Sequence, residues 1–279
     1  MILGIYLAIS GLSALGICLS AEGFATLRWL WLLPVGFVST FIGLLLLTGL
    51  LLLVMAAAVD MKKQQEKDSP FYRFVIMALI SLLVPLLGIR IHEEGMEKAP
   101  KEGRFLLVCN HLHEIDPAVL LRAFPKGTLA FISKREVDEM FLVGPFLHKI
   151  LGQAVNREND REALKTILRC IDLIKRDVAS VAVFPEGYIK PDRLLRTFRH
   201  GVFKIALRTK VPVVVCTLRN TQYAVKNALQ LKPTDIHLHL VGVIDPEQMQ
   251  GMTTVDLSRL AYTMMAEDLG PELVWQGEN

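Results

Sequence analysis

Two charge-free stretches constrain this chain more than anything else in it. No charged side chain occurs from Met1 to Ala21, and none from Trp29 to Val59. Each run reaches the ~20 apolar residues that a helix needs to cross a hydrocarbon core. Only the short Glu22–Arg28 segment lies between them, so residues 1–60 read as a transmembrane helical hairpin. The two runs account for a mean hydropathy of +0.40 over 279 residues, too apolar for an ordinary soluble protein. A cleaved signal peptide is the alternative for the first run, which lacks the basic leading region such peptides carry.

Lys62, Lys63, Lys67 and Arg73 follow the second run. Excess Lys and Arg beside a membrane end marks the cytoplasmic side. Both termini, and the remainder of the chain, are therefore expected at the cytoplasmic face of the cell membrane. A third apolar run, Phe74 to Leu87, is shorter and contains Pro85. Runs of ~10–14 apolar residues are more often interfacial, re-entrant or buried than spanning. Residues 61–89 thus read as a basic linker with an interfacial or re-entrant segment.

The remainder, 90–279, is long enough for one domain with a proper core. A net charge of +3 makes no case for nucleic acid, and suits an anionic membrane surface or a phosphorylated substrate. Cys18, Cys109, Cys170 and Cys216 form no CxxC and read as small buried residues in a reducing compartment. Apolar runs at Arg104–Cys109, Thr128–Ser133, Gln153–Val155, Ser180–Phe184, Val211–Leu218 and Ile236–Val243 read as strands. The spacing of Ala163, Leu164, Ile167, Leu168, Ile171 and Ile174 predicts a helix over Asn159–Lys175. Val202–Thr209 and Thr254–Leu269 are weaker helical candidates. Strands alternating with helices indicate an α/β domain in about three layers.

Within that domain, Asn110-His111-Leu112-His113-Glu114-Ile115-Asp116 places an imidazole and a carboxylate five positions apart. They fall between a strand and a helix opening at Pro117. Folded back on each other, His111 and Asp116 make a general base with an orienting partner. Asp before Pro is equally a common helix start, where Asp caps free amides. Val183-Phe184-Pro185-Glu186-Gly187 ends a strand on a carboxylate beside a glycine, where α/β sheets usually bind ligands. A plain Pro-Gly turn is the alternative there. Arg157, after Gly152 and a short strand, either clamps a phosphate or starts the next helix exposed. Arg199-His200-Gly201 leads through Lys204 to Val211-Pro212-Val213, which taken singly is architecture.

In order, NHxxxxD, Gly-x-x-x-x-Arg, FPEG, FRHG and VPVV resemble the motifs of the glycerolipid acyltransferases. The similarity is closest to the lysophosphatidate (1-acylglycerol-3-phosphate) acyltransferases and runs from about Arg90 to past Leu218. The resemblance implies a glycerophosphate acyltransferase-like fold, a mixed sheet with flanking helices behind the membrane hairpin. It implies His111 as general base and Asp116 as its orienting carboxylate. Lys134 and Arg157 match phosphate-site residues, Glu186 and Gly187 the acceptor-binding motif, and Pro212 a motif linked to the acyl donor or to packing.

Three positions depart from the pattern. Tyr188-Ile189 stand where the family usually has Thr-Arg, so the arginine that meets the acceptor phosphate is missing, with Lys190 or Arg193 as candidate replacements. Val215 replaces a second proline, and His113 stands where Ser is common. The implied reaction moves a fatty acyl group from acyl-CoA or acyl-carrier protein to the free hydroxyl of a lysophospholipid. The acceptor implied is 1-acylglycerol 3-phosphate, giving phosphatidic acid without a cofactor, and other lyso-lipid acceptors stay open. A rival from another class is a membrane-bound metallohydrolase using His111, His113, Glu114 and Asp116, although no further ligand cluster follows. Another is an inactive membrane scaffold, which would have no need of both His111 and Asp116.

Overall fold

The N-terminal run forms helix α1 (Ile2–Ser20), and the second forms α2 (Trp29–Ala57). The computed structural model describes residues 2–125, 127–156 and 159–277. α1 and α2 pack along small residues. A side chain at Gly36 would sit 3.2 Å from the Ala14 backbone, and Ser10, Ala14 and Cys18 are the buried residues of α1. Thr40 bonds Ser13 at 3.2 Å, and the Tyr6 and Phe41 rings meet edge to face. Small contacts and interhelical hydroxyl bonds are how helices associate in lipid. Both helices are long and apolar enough to cross a membrane, and their outer leucines are exposed.

The third apolar run is helix α3 (Pro70–Leu86), which begins before the sequence pattern suggests because Pro70 suits its first turn. One face packs into the domain. Ile80 is part of the core, and Tyr72, Ile76, Met77 and Val84 lie against it. The other face carries exposed Phe71 and Phe74, and the helix also touches α1. The inner face of α3 thus joins the core, while its outer face stays apolar and uncovered by the domain. The core of the domain thus reaches upstream of Arg90, where composition places its start. The preceding linker is pinned as well. Glu66 pairs with Arg176 at 2.6 Å and with Arg169 at 3.1 Å, and His148 donates to the Lys63 carbonyl at 3.0 Å.

Beyond α3 the order is β1 (Ile89–Glu94), β2 (Leu106–Cys109), α4 (Asp116–Ala123), β3 (Leu129–Lys134), α5 (Arg135–Asp138), α6 (Val143–Lys149), β4 (Gln153–Val155) and α7 (Asp160–Lys175). There follow β5 (Ser180–Val183), α8 (Lys204–Thr209), β6 (Val213–Arg219), α9 (Ala224–Leu229), β7 (Thr234–Ile244) and α10 (Thr254–Leu269). One mixed sheet runs β1-β7-β6-β2-β5-β3-β4, parallel throughout except between β6 and β7. Alternate residues face opposite layers. Leu107, Cys109, Ala182 and Val214 pack with α3 and α4, while Leu106, Val108, Val183 and Val215 pack with α7, α8 and α10.

Strand β1 has no counterpart in the sequence expectations. Ile89-Arg90-Ile91-His92-Glu93-Glu94 is too polar to read as a strand, and it lies at a sheet edge, where charge is tolerated. The helix expected over Asn159–Lys175 starts at Asp160, with the Asn159 side chain accepting from the Arg161 and Glu162 amides. The helical pattern from Val202 divides into a 3-10 turn, His200–Phe203, and α8. α10 has the bounds its pattern predicts, opened by a Thr253/Asp256 capping box.

Candidate active site

Strands β2, β5, β3, β4 and β6 run the same way, so their C-terminal ends share one edge of the sheet. At the end of β2 the buried Asn110 side chain donates to the Leu218 carbonyl at 3.0 Å and accepts from the Leu218 amide at 2.7 Å. That double bond fixes the start of the following loop to β6. His111 comes next. Its Nδ1 donates to Asp116 Oδ2 at 2.8 Å, and its ring stacks on Phe184 with centroids 4.0 Å apart.

Asp116 opens α4 but does not cap it. Its Oδ2 accepts from the Leu112 amide at 2.7 Å and the His113 amide at 2.9 Å as well as from the imidazole. The carboxylate therefore organises the loop before the helix, and the capping alternative is not what forms. Asp116 is fully buried, and its Oδ1 has no partner. With Nδ1 holding the proton, Nε2 keeps its lone pair. No group among the described residues bonds Nε2, and the His111 side chain is 19% exposed. A base with an open nitrogen and an orienting carboxylate is the arrangement that proton abstraction requires.

Glu186 lies behind this pair. It is 4% exposed; Oε1 accepts from the His111 amide at 3.0 Å and Oε2 from the Arg196 amide at 2.9 Å. Burial pushes its carboxyl up to about 7, against the two amides, which favour the charged form. Both oxygens are thus engaged inside the protein, holding the main chain of the base. Gly187 has φ +86, a left-handed conformation costly for any side chain, and its amide closes the turn on the Phe184 carbonyl at 3.0 Å. The Arg199 amide bonds the Pro185 carbonyl at 2.9 Å, so the FRHG segment braces the FPEG turn.

The remaining candidates are more scattered. Lys134, at the end of β3, is half-exposed and pairs with Glu136 at 3.2 Å. β5 separates β3 from β2, so Lys134 ends a strand about 10 Å across the sheet from β2, on the same sheet edge as the dyad. Lys190 is exposed, its Nζ 4.6 Å from the centre of the Tyr188 ring. Neither lysine bonds His111 or Asp116. Arg157 lies outside the described residues. Arg193 Nη1 donates to the Leu112 carbonyl at 2.7 Å, bracing the histidine loop. Pro212 is at the other end of β6, its carbonyl accepting from the Leu106 amide at 3.0 Å, which is a packing position.

Several contributors escape sequence reasoning. Phe184 lies within FPEG, yet nothing local signals that its ring supports an imidazole. Arg196 joins Glu186 through its backbone, its guanidinium lies 4.2 Å from the Trp275 ring, and its Nε is buried without a partner. Burial, reinforced by Cys216, Asp116 and Glu186, holds the Cys109 thiol well above its usual range, so it is a neutral thiol and no nucleophile. No three His, Cys, Asp or Glu side chains among the described residues gather as metal ligands would. His237 stacks on His92, and His239 pairs with Asp268 at 2.5 Å.

Residues 90–219 match the family model described as acyltransferase. Over 156 residues the chain is 31% identical to the 1-acyl-sn-glycerol-3-phosphate acyltransferase of Cocos nucifera, covering 56% of this chain and 50% of that protein. Over 174 residues it is 28% identical to the protein of the same name from Borreliella burgdorferi, covering 62% and 69%. It thus spans only half the length of the Cocos nucifera relative. The crystal structure of the 1-acyl-sn-glycerophosphate acyltransferase PlsC from Thermotoga maritima shares the fold. The TM-score is 0.58 at 22% identity, over 74% of this chain and 81% of that one. His111, Asp116 and Glu186 all lie within residues 90–219, the part of the chain that matches the acyltransferase family model.

Proposed function

We propose that the chain transfers a fatty acyl group from a thioester donor, acyl-CoA or acyl-carrier protein, to the free hydroxyl of a lysophospholipid. The acceptor is 1-acylglycerol 3-phosphate and the product phosphatidic acid. The observation that carries this reading is the bond from His111 Nδ1 to Asp116 Oδ2 at 2.8 Å, with Nε2 left open, inside a domain of acyltransferase type. Nε2 takes the hydroxyl proton as the oxygen attacks the thioester carbonyl, and Asp116 steadies the imidazolium. The tetrahedral adduct collapses to the ester and expels the thiolate, which recovers the proton from His111. The thioester is already activated, so no acyl-enzyme is needed. Base catalysis of this kind supplies ~10²–10⁴-fold, and positioning supplies more.

The hairpin anchors the domain at the cytoplasmic face, beside lipid acceptor and lipid product. Lys62, Lys63, Lys67 and Arg73 support that orientation. The test is acyl transfer by the purified full chain, offered labelled acyl-CoA or acyl-carrier protein and a panel of lyso-lipids. His111→Ala should abolish turnover and leave fold and membrane association intact; retained turnover refutes the role of His111. A reporter fused after Asn279 that is active only outside the membrane refutes the orientation.

A further inference from the structure

The turn from α9 into β7 leaves two leucines in the open. Leu231 is 96% exposed and Leu229 83%, the highest values of any large apolar side chain among the described residues. They exceed even the outward leucines of α1 and α2. Single exposed leucines are ordinary on protein surfaces. These two differ because they are held rigidly. The amides of Gln230 and Lys232 both bond the Asn227 carbonyl at 2.9 Å, the Leu231 amide bonds the Ala228 carbonyl, and Asn227 Nδ2 bonds Thr234. Leu231 itself has φ +55, a left-handed position that glycine or asparagine would fill with less strain.

Charge and position name the occupant. No acidic residue occurs between Arg219 and Asp235, while Lys226 and Lys232 flank the leucines and are exposed. The turn abuts the end of α3. The Thr234 amide bonds the Gly88 carbonyl at 3.0 Å, and Pro233 is 3.6 Å from where a Gly88 side chain would begin. Gly88 lies two residues beyond α3, whose exposed Phe71, Phe74, Leu83 and Leu86 run from the hairpin end, where Tyr72 bonds the Met55 carbonyl, towards this turn. Because β7 runs against β6, the turn stands on the sheet edge that carries His111. Leucines flanked by lysines are the composition of an interfacial anchor.

We propose that the Leu229–Lys232 turn is a second membrane contact, inserted among the headgroups of an anionic bilayer at the far end of α3 from the hairpin. It would seat the dyad's edge of the sheet against the lipid surface. The proposal rests on the hairpin being membrane-embedded. The test uses the full chain in vesicles of phosphatidylcholine and phosphatidylglycerol. An environment-sensitive fluorophore is attached to Leu231→Cys, or to Leu46→Cys in α2, or to Gln250→Cys on the opposite sheet edge. The native cysteines are all buried. Two quenchers are used, phosphatidylcholine with a nitroxide near its headgroup and phosphatidylcholine with a nitroxide on its acyl chain. The Leu46 label should be quenched by the acyl-chain nitroxide and the Leu231 label by the headgroup nitroxide, and the Gln250 label by neither. A quenched Leu46 with an unquenched Leu231 overturns the second contact alone; an unquenched Leu46 overturns the embedded hairpin on which it rests. Quenching at Leu231 should weaken when Lys226 and Lys232 are changed to Gln, and an unchanged signal removes the lysines from the contact.

Discussion

Glu186 holds the main chain of His111, and Asp116 holds its ring. One carboxylate oxygen meets the His111 amide at 3.0 Å and the other carboxylate meets Nδ1 at 2.8 Å. Backbone and imidazole are therefore fixed by groups from two loops, one after β5 and one at the head of α4. Small misplacements of a reacting group are costly in rate. Two independent holds on one residue are a means of avoiding them.

Asp116→Asn should keep the fold and lose the reaction. The amide oxygen can still accept from the Leu112 and His113 amides, while the NH2 group takes the place of the buried, unpartnered Oδ1. The negative charge beside the imidazolium is gone. A fall in kcat of ~10²–10⁴-fold with unchanged membrane extraction and near-native melting is expected. Turnover within a few-fold of the parent would remove Asp116 from the chemistry.

Stability should decline with rising pH because of Glu186. Folding lifts its carboxyl from an ordinary value of 4.5 to about 7, so the folded chain holds that proton more tightly than the unfolded one. The contribution is fully present below pH 4.5 and is lost as pH rises to about 7. Its size is ~3 kcal/mol by proton linkage. Glu186→Gln should flatten this slope in thermal denaturation across pH 4–8. It should also slow turnover, because an amide group cannot accept from both the His111 and Arg196 amides.

Asn110→Ala strips partners from a buried amide and a buried carbonyl of Leu218 at once. At ~1–3 kcal/mol for each buried group left unpaired, a loss of about 2–6 kcal/mol is expected. Denaturant unfolding of the detergent-solubilised chain measures it. A loss under 1 kcal/mol would mean that water replaces the side chain.

Arg193 and Lys190 should separate in kinetics. Arg193→Ala removes the bond to the Leu112 carbonyl, so kcat should fall by ~10-fold or more with KM little changed. The Lys190 ammonium lies over the Tyr188 ring. If it replaces the missing arginine, Lys190→Ala raises KM for a phosphate-bearing acceptor and leaves a neutral lyso-lipid unaffected. Equal effects on both acceptors would count against a phosphate role.

The dyad could be read from sequence because its geometry is local: five residues between a strand and a helix leave few ways to fold. Glu186 could be located but not understood, since its partner, the His111 amide, lies in the loop after another strand and backbone amides leave no mark in a sequence. Arg196 and Trp275 were invisible for a similar reason, being joined only by the way the C-terminal segment returns to Leu195. Lys134, suggested by motif order, ends a strand two places along the sheet from β2, a separation that no local sequence pattern shows. Tertiary neighbours also explain α3 and β1. Apolarity marked the first without showing that the domain claims one of its faces, and edge-strand charge concealed the second.

The two-sidedness of α3 limits where this molecule can be cut. A soluble fragment beginning at residue 90, where composition changes, would discard Ile80 and the residues packed around it, opening a trough beneath the sheet. A fragment beginning at Pro70 would keep that trough filled, yet present Phe71 and Phe74 to water and invite self-association. The apolar hairpin and the α/β domain both pack on α3, so neither can be prepared whole without part of the other.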